Sequence, residues 1–330
     1  MTFTPRTPAI GFIHHHLDDG DIYFLAHTSN EPVSVKARFR FRGTHAEVWD
    51  PFTGNAAGLS FSNDILLELA PYESRLVFFS DRFLSPPAEQ LTSTSAVIDF
   101  GAGWTLAYAD GPSNPISSFK SWSDDAEHRF YSGSATYNRK INLSAAEIVP
   151  GHSVILAFGP GTPVCIPTPL PHTNMRAYLD SPIREAAEVF VNGQPSGCVW
   201  HPPFRVDLSP HVHPCKNELH IVVFNTAINE LAGEPLPTYP LLRAKYGVEF
   251  IPQGMGNLMP LLSGMITVPR LLIENRSIHG SVPAVSTRKH GCESMQLCST
   301  ETIISVSLAK SCCLLVVAST RRGWPRTRQL

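Results

Sequence analysis

The sequence predicts an all-β fold: a small antiparallel β-sandwich followed by a larger one. Three observations carry this. Val33 to Phe41 alternates Val33, Val35, Ala37, Phe39 and Phe41 with Ser34, Lys36, Arg38 and Arg40. That period of two marks a strand with one wet face and one dry face. Val189 to Val191 is an apolar run that ends at Asn192-Gly193, a dipeptide suited to the positive φ angles of a tight hairpin. Finally, 29 prolines and 22 glycines punctuate the 330 residues, which favours many short strands joined by turns.

In chain order, the first sandwich is expected over residues 10–81. Asp21 to Ala26 forms a strand after the Asp19-Gly20 turn, and Ala46 to Trp49 a short strand ended by Asp50-Pro51. Ile65 to Leu69 and Arg75 to Phe79 are expected to pair as a hairpin around Pro71. Residues 82–95 read as a linker, and residues 96–274 as the second sandwich. There, Val97 to Ala107 and Phe130 to Leu143 supply strands, and the Pro-rich stretch Gly159 to His172 is expected as an exposed loop or as translated intron. The Asn192-Gly193 hairpin follows. Pro202 and Pro203 then interrupt the ladder before Phe204 to Leu208 and Leu219 to Phe224. Leu242 to Phe250 and Met265 to Ile273 are the last expected strands. Residues 275–330 carry four of the seven cysteines and little periodicity, and read as an irregular tail, disordered or out of frame.

Composition narrows the function classes. A hydrophobic content of 43% with 16% charged residues fits a folded chain with a core. A net charge of -2 gives no basic footprint for nucleic acid. The stretch Ile303 to Ala318 is apolar, but it is short and carries Ser305, Ser307, Lys310 and Ser311, so no membrane partner is expected. The N-terminus lacks a basic start and an apolar core, so no signal peptide is expected, and the compartment is left open. No CxxC pair occurs; a Cys198–Cys215 bridge is the one disulfide weighed.

The order of FVNG, Gly197-x-x-Trp200, PFRVDLS and KNELHIVVFNTAIN resembles the sugar-binding jelly-roll module attached to many glycoside hydrolases. It is most similar to the C-terminal module of α-L-rhamnosidases of glycoside hydrolase family 106. The runner-up is the related module of the family 2 β-galactosidase and β-glucuronidase group. Ile13-His14, Ile22-Tyr23-Phe24, Trp49-Asp50-Pro51-Phe52-Thr53-Gly54 and Leu69-Ala70-Pro71-Tyr72-Glu73-Ser74 resemble the chain that leaves the family's catalytic barrel. Tyr131, Ser132, Gly133 and Tyr137 match a strand of the module, and the resemblance runs from Ile10 to Ile273. His15 stands where an Arg is usual, and the family's final Gly-Pro-Val is replaced by Ile266-Thr267-Val268-Pro269.

The resemblance implies a galactose-binding-like jelly roll. It also implies a C-terminal accessory, carbohydrate-binding part of an α-L-rhamnosidase-like enzyme, with a rhamnose-containing glycan or glycoside and a separate catalytic barrel domain as partners. The rival readings are a stand-alone lectin-like protein and the non-functional product of a truncated gene. Glycoside hydrolysis needs two carboxyl groups across the scissile bond. Asp18, Asp19, Asp21, Asp124, Asp125, Glu127, Glu188 and Glu230 all read as turn, loop or edge residues, so no catalytic residue is assigned. Of the run His14-His15-His16, only His14 and His16 share a strand face, too few ligands for a closed metal site. Neither metal nor cofactor is expected. The carbohydrate-binding candidates are Trp122, Tyr131 and Trp200 as flat apolar faces, with Asn192, Asn225 and Asn229 as hydrogen-bonding neighbours. For Trp200 the preferred reading is a structural lid on a sandwich edge.

Overall fold

The computed structural model describes residues 1–41, 43–52, 54, 56–59, 64–82, 89–98, 100–109, 111–168, 177–234, 241, 244–245 and 258–278. Of 89–93 and 276–278 only the backbone is described. The described residues are nearly all β, in antiparallel sheets.

The first part contains β1 (Thr2–Thr4), β2 (Ile10–Leu17), β3 (Gly20–His27), β4 (Val33–Arg38), β5 (His45–Trp49), β6 (Ala56–Leu59), β7 (Ile65–Leu69) and β8 (Ser74–Ser80). They form a sheet in the order β1-β4-β7 and another in the order β2-β3-β8-β5-β6. Val35, Ala37, Leu67 and Leu69 from the first sheet share a core with Tyr23, Leu25, Val77 and Phe79 from the second. The alternation of Val33 to Arg38 is seen directly, with Val35 and Ala37 buried and Ser34, Lys36 and Arg38 exposed.

One expectation is overturned here. β7 and β8 do not pair as a hairpin: β7 pairs with β4, and β8 with β3 and β5. The turn between them carries the chain from one sheet to the other. Tyr72 adopts a φ of 56°, and its amide donates to the Ser29 carbonyl at 3.2 Å. β7 buries alternate residues and β8 carries the continuous apolar run Leu76 to Phe79, so each has a face to bury, and facing sheets satisfy both at once.

The second part contains β9 (Glu89–Ile98), β10 (Trp104–Tyr108), β11 (Asn114–Ile116), β12 (Ser134–Leu143), β13 (His152–Gly159), β14 (Thr162–Pro163), β15 (Leu179–Asp180), β16 (Ile183–Arg184), β17 (Ala186–Val191), β18 (Gln194–Val199), β19 (Phe204–Asp207), β20 (Cys215–Phe224), β21 (Gly264–Met265) and β22 (Arg270–Ile278). A six-stranded sheet in the order β11-β10-β12-β20-β17-β18 lies with a four-stranded sheet in the order β19-β13-β22-β9. Trp104, Tyr137, Val189 and Ile221 of the first and Leu156, Val206, Leu271 and Ile273 of the second bury one shared core. Each such aliphatic side chain contributes about 1.5–3 kcal/mol on burial.

The Asn192-Gly193 hairpin joins β17 and β18, with φ angles of 52° and 76° at its two central residues. Val97 and Trp104, both within the stretch expected to open the second sandwich, belong to different sheets, through β9 and β10. A six-residue helix, α1 (Ile228–Gly233), follows β20 and was not anticipated. The expected strand at 242–250 lies almost wholly outside the described residues. β22 continues past Glu274 to Ile278, where it pairs with Glu89 of β9, so part of both the expected linker and the expected tail is strand. Cys198 and Cys215 form no bridge, since β17 lies between their strands.

The described part of the Pro-rich stretch makes specific contacts. Asn30 Nδ2 donates to the carbonyls of Val164 at 2.9 Å and Tyr178 at 3.1 Å. The Tyr178 amide donates to the Tyr72 hydroxyl at 2.9 Å. Residues 169–172 lie outside the described residues.

Candidate functional site

One end of the six-stranded sheet is closed by the segment Ser121 to Gly133. Ser121 caps a 3-10 turn at Trp122–Asp124 by accepting from the Ser123 amide. The Trp122 amide donates to the Ser263 carbonyl at 3.0 Å, which ties the turn to the chain before β21. The indole of Trp122 is 2% exposed, and its nitrogen donates to the Tyr137 hydroxyl at 2.8 Å.

Four of the six residues singled out from the sequence gather here. Asn225 donates to the Tyr131 carbonyl at 2.7 Å and accepts from the Gly133 amide at 2.8 Å. The Tyr131 hydroxyl donates to the Ser134 carbonyl at 2.6 Å. Asn229, buried in α1, donates to the Leu261 carbonyl at 2.9 Å and accepts from its amide at 3.1 Å. With Trp122, these groups hold loops together and spend their polar atoms on the protein itself.

The other two lie elsewhere. Asn192, at the opposite end of the sheet, donates to the His211 carbonyl at 2.8 Å and to Asn217 Oδ1 at 2.9 Å. It also accepts from the Glu218 amide at 2.9 Å. Trp200 follows β18 and is 49% exposed, so it does not pack inward as a lid. Its ring meets Phe52 edge-on at 5.3 Å, and His201 stacks on Phe52 at 3.5 Å. This places the residues that follow β18 against the turn after β5.

In front of Trp122 lies a cavity of about 480 Å³ between β10, β11 and the loop that follows them. Leu106, Ile116, Phe119 and Trp122 form its apolar wall. Tyr108, Lys120, Asp125, Glu127 and His128 supply polar groups. Tyr108 stacks on the His128 imidazole at 3.7 Å and meets Trp122 edge-on at 5.5 Å. Burial pushes the Tyr108 hydroxyl well above the ordinary tyrosine range, and the nearby Tyr137 and Asp125 add to this. The hydroxyl therefore stays protonated and remains a donor.

Asp125 lies 2.9 Å from His128 Nδ1 and accepts from the Glu127 amide at 3.3 Å. The bond to His128 holds its carboxyl below the usual aspartate range, and the bond to the Glu127 amide adds to this. Asp125 and Glu127 sit two residues apart in one loop and both line the cavity. Apolar walls with a few fixed donors and acceptors suit the binding of a small polyhydroxylated ring.

Tyr108, Lys120, Asp125 and His128 were missed as a group from sequence. The Asp125-x-x-His128 spacing was a signal, but the loop read as merely solvated. Among the described residues no group of three or more His, Cys, Asp or Glu residues is arranged to hold a metal. His14 Nε2 and His16 Nδ1 do converge, at 2.7 and 3.0 Å from the same oxygen of Asp21.

Comparison with known proteins follows the same line. Residues 1–63 match the family model of glycoside hydrolase family 106, described as alpha-L-rhamnosidase. The solved rhamnosidase of Novosphingobium sp. PP1Y is similar over 83% of this chain, at 26% identity and a TM-score of 0.60. A curated protein of Formosa agariphila, described as a candidate beta-glucuronidase, is 28% identical over 121 residues, 36% of this chain. The chain spans 25% of the rhamnosidase and 8% of the Formosa protein.

Proposed function

We propose that this chain is the C-terminal accessory part of an α-L-rhamnosidase-like glycoside hydrolase, where it holds carbohydrate and braces a catalytic domain. The observation that carries the reading is the likeness to a solved rhamnosidase over 83% of the chain, together with the family match at residues 1–63. The glycan held is one that contains rhamnose.

The bracing role draws on β2. This strand lies at the edge of its sheet, and Phe12, Ile13 and Leu17 are 44%, 56% and 43% exposed on it. Ile13 and Leu17 share one face of this edge strand, with Phe12 on the other, and exposed apolar side chains there suit burial against a neighbouring domain. A catalytic barrel is the occupant that fits, because this chain spans only a quarter of the rhamnosidase it resembles.

The purified chain is tested for retention on immobilised rhamnose-containing glycan and for release of the chromophore from aryl α-L-rhamnosides and aryl β-galactosides. Retention without turnover is the expected result. Turnover that disappears when one carboxylate is changed to its amide, as in Asp125→Asn, contradicts the accessory role.

A further inference from the structure

We infer that the cavity in front of Trp122 is a subsite for one neutral pyranose ring and discriminates against uronic acids. The inference rests on the carbohydrate-holding reading and assigns it to a cavity whose polar groups were not read as sugar contacts from the sequence.

Shape and wall chemistry come first. About 480 Å³ lies within the range of small-molecule sites. Leu106, Ile116 and Phe119 present a continuous apolar patch to the C–H face of a ring. Phe119 keeps its position by meeting Trp104 edge-on at 5.7 Å and lying over Tyr137 at 6.2 Å, and Trp122 in the same wall is pinned by Tyr137 and by the Ser263 carbonyl.

The polar groups are suited to hydroxyls. The Tyr108 hydroxyl has no hydrogen-bond partner among the described residues, although its ring is fixed by the stack on His128. Burying such a hydroxyl under a ligand without a partner is unfavourable, so a ligand that pairs with it is preferred. Lys120 offers an exposed ammonium donor, and Glu127 an exposed carboxylate acceptor. A sugar ring carries vicinal hydroxyls that donate and accept at once, so it can satisfy all three.

Charge sets the selectivity. Among the described lining residues, Lys120 is the single Lys or Arg, against the carboxylates of Asp125 and Glu127. A ligand carboxylate would meet the carboxylates of Glu127 and of Asp125, the latter paired with His128, and the one Lys120 ammonium. A hydroxymethyl or methyl substituent meets no such repulsion. Discrimination against the wrong ligand by misplaced like charge is the general physical device.

The full chain is titrated at pH 7 with methyl α-L-rhamnopyranoside and with methyl β-D-glucuronide, followed by calorimetry or by ligand-observed NMR. The expected result is binding of the neutral glycoside, with the glucuronide at least about tenfold weaker. Tyr108→Phe keeps the ring stack and removes the donor, so it should weaken the neutral glycoside about fivefold to tenfold. Lys120→Met changes an exposed side chain, leaves the fold intact, and should weaken it by a similar factor.

Binding of the glucuronide as tightly as the rhamnoside overturns the selectivity. Binding of the rhamnoside that neither variant weakens overturns the cavity assignment and leaves the accessory reading standing. Failure to bind the rhamnoside, with retention on immobilised glycan intact, also overturns the cavity alone. Failure of both overturns the carbohydrate-holding reading itself.

Discussion

The indole nitrogen of Trp122 donates to the hydroxyl of Tyr137 at 2.8 Å, and the same hydroxyl accepts from the Met265 amide at 3.2 Å. This joins the loop after β11, the middle of β12 and the short strand β21 through one oxygen. Gly264 completes the arrangement. It has a φ of +92°, and a Cβ built on it would lie 2.4 Å from the Trp122 ring nitrogen.

Gly264→Ala should therefore destabilise the domain by about 1–3 kcal/mol through overpacking, with backbone strain adding about 1–2 kcal/mol. Urea denaturation followed by fluorescence measures it. An unchanged midpoint would mean that the indole is free to move aside.

Trp200→Ala should be mild. A fully buried Trp would cost about 3–5 kcal/mol on truncation. Here the ring is half-exposed and its described aromatic contacts are with Phe52 and His201. A loss of about 0.5–1.5 kcal/mol, the usual value of an aromatic pair, is expected. Glycan retention measured on the same samples shows whether the exposed face also meets sugar. A cost above about 3 kcal/mol would show that the indole belongs to a core.

Asp125 gives a pH dependence. Its carboxyl is held below its unfolded value by the His128 contact. Its contribution to stability is thus complete above the ordinary aspartate value of about 3.9 and is lost as pH falls through the lower folded value. The contact is near the surface, so the effect is small. Asp125→Asn should flatten the acid side of the thermal stability profile and leave the neutral side little changed. A wild-type profile already flat between about pH 5 and 2 would contradict this.

Two truncations separate strand from tail. Met1–Ser281 forms one compact unit, and β22 runs to Ile278 inside it. Ending the chain after Ser281 should leave the cooperative thermal transition of that unit in place. Ending it after Glu274 removes four residues paired with β9 and should lower the midpoint measurably. Equal midpoints for the two shortened chains would show that the end of β22 contributes nothing.

Local chemistry was legible in the sequence where it decides structure locally. The alternation around Val35 and Ala37 and the Asn192-Gly193 hairpin both stand as read, because side-chain period and turn φ are properties of neighbours in the chain. The pairing of β7 and β8 was not legible. Both have strand patterns and a turn between them, yet which sheet each joins depends on β3, β4 and β5. The cavity failed for the same reason. Leu106, Ile116 and Tyr137 reach one wall only through the register of β10 with β11 and β12. Asn225 and Asn229 were read as hydrogen-bonding neighbours of a sugar; their protein partners, Gly133 and Leu261, lie 92 and 32 residues away and were not legible.

The most direct test of the account is to measure the retention of the purified chain on immobilised rhamnose-containing glycan, beside a matched glycan without rhamnose and with free methyl α-L-rhamnopyranoside as competitor. Retention on the first surface, released by the competitor, is the expected result. Equal behaviour on both surfaces, with no effect of the competitor, would contradict it.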